Sequence, residues 1–74
     1  MIATTELSEP VYRELLAKSL PRPIRTGPEH DRLTALLLDL DEREDRTPEE
    51  DALAEVLTRL IEDYEESRYP FAQE

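Results

Sequence analysis

Apolar residues recur three and four positions apart along most of this chain, the spacing that gathers them on one side of an α-helix. The pattern is longest in TPEEDALAEVLTRLIEDYEESRY, where Leu53, Val56, Leu57, Leu60, Ile61 and Tyr64 form one stripe. Thr47 stands before it as an N-cap, Pro48 takes the first helical position, and Glu50 follows three residues after the cap. That is the capping-box arrangement, with a proline where its missing N–H costs nothing. Glu49, Glu50 and Asp51 sit where the positive end of a helix favours carboxylates. Pro70 closes the run, so the spacing predicts a helix over about 48–69.

An earlier segment repeats the device. Thr26 caps, Pro28 follows, and Glu29 lies three residues on, ahead of Leu33, Leu36, Leu37 and Leu40, with His30 one turn before them. A helix over about 27–44 is predicted. Leu38 lies off its stripe and calls for a second apolar neighbour, either the first helix or another chain. The polar turn DEREDR is short enough for an antiparallel hairpin. A leading helix over about 9–20 begins at Ser8, Glu9 and Pro10, shows Val11, Tyr12, Leu15, Leu16 and Leu20, and stops at Pro21. Between it and the hairpin, PRPIRT is a rigid elbow, because each proline locks its own φ and extends the residue before it. Ile24 is the elbow's apolar anchor, and Arg22 and Arg25 are placed to clamp carboxylates of the hairpin or of a partner.

One glycine, six prolines and few β-branched residues speak against a sheet. The expected fold is therefore all-α: residues 1–74 as one small helical domain, an antiparallel hairpin with a short leading helix packed through a proline elbow. A chain of this size buries only about 60% of its unfolded surface. Cysteine is absent, so no disulfide reinforces it. Dimerisation into a bundle would enlarge the core.

Charge narrows the choice of partners. The formal net charge is -10, but it is unevenly spread. Residues 13–32 carry Arg13, Lys18, Arg22, Arg25 and Arg32 against Glu14, Glu29 and Asp31, whereas residues 39–55 carry nine carboxylates against Arg43 and Arg46. Such a surface repels a phosphate backbone, so binding of nucleic acid by this chain alone is not expected. A basic protein partner is a natural alternative, since opposite potentials speed encounter and fix orientation; on charge alone, an acidic surface that simply keeps a small helical protein soluble stands level with it. No apolar run approaches the roughly 20 residues of a membrane span, and the N-terminus lacks the pattern of a signal peptide. A soluble, cytoplasmic protein with no membrane partner is expected.

Catalytic chemistry finds little support. DLDEREDRTPEE opens like a calcium loop, with Asp39, Asp41 and Glu50 in register, but Glu44 stands where the sharp turn needs glycine. Glu55, Glu62 and Glu66 share a helical face, and Asp39 and Glu42 lie on the helix opposite. Magnesium-dependent all-helical nucleotide pyrophosphohydrolases face paired carboxylates inward within a bundle, whereas these lie outside the apolar stripes. His30 is the lone histidine, with no serine or cysteine at a telling distance. No catalytic, metal or cofactor site is expected.

Three pieces in order, LPRPIRT at 20–26, TPEED at 47–51 and LTRLIEDYEESRYP at 57–70, resemble the N-terminal helical region of HigA-family antitoxins. There a segment of the form L-P-R-P-I-R-T leads into a helical hairpin whose second helix opens with T-P-E and closes with L-I-E-x-Y-E-x-x-x-Y-P. The resemblance covers about two thirds of the chain. Its matching positions are Arg22, Pro23, Ile24, Arg25, Thr26, Thr47, Pro48, Glu62, Tyr64, Glu65, Tyr69 and Pro70. The family continues into a helix-turn-helix domain where this sequence ends, four residues after Pro70, so the operator-binding role is not carried over. The resemblance implies an antitoxin-like module that associates with itself or with a small basic toxin, typically a ribonuclease. The expected partner-binding residues are Arg22, Arg25, Leu36, Leu38, Glu62, Glu65, Glu66 and Tyr69. The alternative expectation is a free-standing homodimeric structural or regulatory module without a toxin partner; a magnesium-dependent all-helical nucleotide pyrophosphohydrolase, its four helices completed by dimerisation, is a minor alternative.

Overall fold

Each helix begins where a hydroxyl is free to bond a backbone amide ahead of it. In the computed structural model, which describes residues 7–68, α1 spans Glu9–Ser19, α2 Gly27–Asp41 and α3 Pro48–Arg68. Ser8, in extended geometry, caps α1, with the Val11 N–H pointing at its Oγ at 3.5 Å. Thr26 Oγ1 accepts from Glu29 N at 3.3 Å at the start of α2. At α3 the capping box is complete: Thr47 Oγ1 accepts from Glu50 N at 3.1 Å, and Glu50 Oε1 accepts from Thr47 N at 3.1 Å. Two orphan amides are thereby satisfied at once.

The ends of the first two helices are set by other contacts. α1 stops at Ser19 because Leu20 turns left-handed, with φ 47° and ψ 58°, and its N–H closes on Leu16 O at 2.7 Å. α2 ends at Asp41, three residues before the expected 44. Arg43 N–H tightens onto Leu40 O at 3.1 Å, and Arg46 Nη1 donates to the same carbonyl at 3.2 Å. The Arg43 backbone amide and the Arg46 side chain therefore take over from the helical ladder. Arg43 also bridges Asp39 and Glu50 at 3.2 and 2.7 Å, and Arg46 Nε reaches Asp51 Oδ1 at 2.7 Å, fastening the turn to both helices.

The core follows the predicted stripes. Leu53, Leu57 and Ile61 of α3 meet Leu33 and Leu40 of α2, and Ile24 inserts from the elbow as its anchor. Leu33 and Leu57 are fully buried. α1 adds the half-buried Tyr12, Leu15 and Leu16. α3 is the shared element: α1 and α2 both pack on it and touch each other only slightly. The fold is an all-helical arrangement of a hairpin and a leading helix. None of the helices described is long and apolar enough to cross a membrane.

Candidate protein-binding surface

The proline elbow is organised by Glu29. Its carboxylate accepts from Arg25 N–H at 3.0 Å and from Arg22 Nη2 at 3.2 Å. The α2 capping box is thus rewired, since Glu29 reaches the amide of Arg25 instead of that of its own cap residue, Thr26. The Arg25 amide, together with the Arg22 and Arg32 guanidiniums, holds the Glu29 carboxyl below the usual glutamate value of 4.5, against the opposing pull of burial. From the other side, Arg32 donates to Ser19 O at 2.8 Å and Leu20 O at 3.4 Å, capping the end of α1. Arg22 therefore clamps a carboxylate of the hairpin. The Arg25 side chain makes no hydrogen bond or ion pair among the described residues and stays exposed.

At the open end of the hairpin, His30 Nε2 lies 3.0 Å from Glu65 Oε2, and its ring tilts over Tyr64 with centroids 5.2 Å apart. Arg68 stacks on the far part of the same cluster, 5.6 Å from the Tyr64 centroid. These groups line a shallow open depression of about 330 Å³ with Gly27 and Asp31. Glu65 is thus occupied in joining α2 to α3, whereas Glu62 and Glu66 are exposed and form no ion pair among the described residues.

Leu36 and Leu38 have different surroundings. Leu36 is half-buried against the core and, with Leu15, Leu40 and Leu53, lines a cleft of about 180 Å³ beside Lys18 and Arg43. Leu38 is 57% exposed. Two positions apart on a helix, they project to nearly opposite sides. Tyr69 lies outside the described residues.

One participant was not anticipated as such. Glu49 is only 6% exposed, and its Oε2 accepts the backbone N–H of Ser8. The Ser8 amide, Glu49's own amide and the Thr47 hydroxyl hold its carboxyl below the usual value, although burial works the other way. Its position in the first turn of α3 was legible, but a distant amide as partner has no local signature.

Among the described residues, no three histidine or carboxylate side chains converge as a metal site would require. Glu55, Glu62 and Glu66 point outward from α3. What the surface offers is a set of exposed carboxylates, a basic corner, and isolated exposed leucines. No family model, curated protein or solved structure matches the chain.

Proposed function

We propose that this chain is an antitoxin-like interaction module that binds a small basic protein through its acidic helical surface. The observation that carries the proposal is the solvent side of α3. Glu62, Asp63 and Glu66 lie exposed there without an ion-pair partner among the described residues, on a chain of net charge -10. Unneutralised like charges on one face destabilise the free protein slightly and are relieved when a cationic surface covers them. A toxin that grips RNA phosphates has such a surface, and occupying it would block the RNA. The resemblance of the elbow and of α3 to HigA-family antitoxins points to the same class of partner. Leu38 would supply apolar contact within the polar rim, as interface centres generally do.

The test is co-purification of the full chain with the product of its neighbouring gene, with mass measured by light scattering, followed by titration calorimetry. A stoichiometric complex is expected, weakened about tenfold or more by combined Glu62→Lys and Glu66→Lys, since close charge pairs at interfaces couple strongly. Unchanged affinity on charge reversal would overturn the assignment of this face.

A homodimeric module without a toxin is the second candidate. It is favoured by the exposure of Leu20 and Leu38, at 56% and 57%.

A further inference from the structure

Those two leucines have surroundings of opposite charge. The Leu20 carbonyl accepts from Arg32, and the segment after it carries Arg22 and Arg25. Among the described residues, Arg22 of this corner pairs with a carboxylate, Glu29, at 3.2 Å, whereas Arg25 and Arg32 form no ion pair. Leu38 is surrounded along its helix by Asp31, Ala35, Asp41 and Glu42, which are seven and three residues before it and three and four after it, and all are exposed. Asp31 and Asp41 make only long ion pairs, of 3.8 and 3.6 Å, and Glu42 makes none among the described residues. One apolar centre thus has a basic rim and the other an acidic one.

The two patches cannot cover each other within one chain. Arg32, which marks the Leu20 side of α2, is six residues from Leu38, about 120° away around the helix. Leu20 is also an expensive choice for its place. A left-handed cap suits glycine or asparagine, and a leucine there accepts backbone strain while exposing its side chain to water. Both costs are offset if the side chain is buried by association.

We propose that the Leu20 patch of one copy docks on the Leu38 patch of a second copy, leucine against leucine, with Arg22, Arg25 and Arg32 facing Asp31, Asp41 and Glu42. The contact is heterologous, so two copies either reciprocate it or leave one patch open for a further copy. It goes beyond the toxin-binding proposal and needs no other protein. Because Leu38 serves in both, self-association would compete with capture of a basic partner.

The experiment uses the full chain alone, in sedimentation equilibrium across micromolar to millimolar concentration. The average mass of the wild type should rise to a dimer or beyond. Leu20→Asn and Leu38→Asp should each weaken association about tenfold or more, the usual consequence of losing a central apolar anchor, with helical circular dichroism unchanged. An equal mixture of the two variants should associate more strongly than either alone, because each keeps the patch the other lacks. A wild type that stays monomeric at millimolar concentration overturns the proposal and leaves the leucines to a foreign partner. So do variants that associate like the wild type, or a mixture no stronger than its components.

Discussion

Glu49 in the first turn of α3 accepts the backbone N–H of Ser8, 41 positions earlier, and so ties the cap of α1 to the start of α3. This carboxyl and that of Glu29 in the first turn of α2 are both held below their ordinary value. A depressed carboxyl binds fewer protons in the folded than in the unfolded chain, so its stabilisation is complete above the unfolded value, near 4.5, and is lost as pH falls through the folded value. The melting temperature should therefore drop as pH is lowered past about 4.5, first through loosening of α1 and the elbow. Glu49→Gln should flatten this acid limb and speed hydrogen exchange in α1 more than in the hairpin. Melting curves across the acid range, with amide exchange at neutral pH, check both.

Leu57 is 0% exposed at the centre of the core, whereas Leu38 is 57% exposed. Leu57→Ala should cost about 2–5 kcal/mol, through lost burial and the cavity left behind. In a domain this small that is enough to unfold a large fraction of the chain. Leu38→Ala should change the stability of the monomer by less than about 0.5 kcal/mol. Urea denaturation of dilute protein separates the two.

The helices were legible because each announces itself locally. The Thr47–Glu50 box, the proline after each cap and the Leu53–Ile61 stripe involve residues within two turns of one another, and their physics is that of the isolated helix. Ile24 as an anchor was legible for a similar reason, being the one apolar residue in a polar elbow. The end of α2 was not, because it depends on Arg43 and Arg46 reaching carbonyls and carboxylates that only the folded hairpin brings near. The same holds for the candidate surface. Spacing placed Glu62 and Glu66 outside the stripe and Leu36 on it, but gave no sign that Glu65 would be taken up by His30.

The two threonine caps should differ in weight. Thr47 takes part in a reciprocal box, while Thr26 only accepts, its Glu29 being engaged with Arg25 and Arg22. Substitution of such caps by alanine costs about 0.5–2 kcal/mol. Thr47→Ala should fall at the upper end and Thr26→Ala at the lower, as measured by thermal melting of the two variants under identical conditions.

Thr34 Oγ1 is buried and has no hydrogen-bond partner among the described residues. A hydroxyl in that state forfeits its hydration without recompense. Thr34→Val keeps the branched shape and removes the polar atom, so it should raise stability by about 1 kcal/mol. An unchanged or lower urea midpoint would mean that the hydroxyl finds a bonding partner in solution.

The corner where α1 ends holds two opposed terms. Leu20 stands in the left-handed region at φ 47°, and Arg32 stabilises the same corner by donating to the carbonyls of Ser19 and Leu20. Glycine adopts that backbone without Cβ strain and loses somewhat more entropy on folding, so Leu20→Gly should stabilise the monomer by about 0.5–1 kcal/mol. Arg32→Met keeps the aliphatic stem and removes both hydrogen bonds, leaving the last carbonyls of α1 to water, and should cost about 1 kcal/mol. Opposite shifts in the unfolding midpoint, measured at concentrations too low for association, would establish that the arginine holds a cap the leucine resists. If Leu20→Gly lowered the midpoint, packing of the leucine side chain against its own chain would outweigh the strain, and the corner would owe its geometry to that packing.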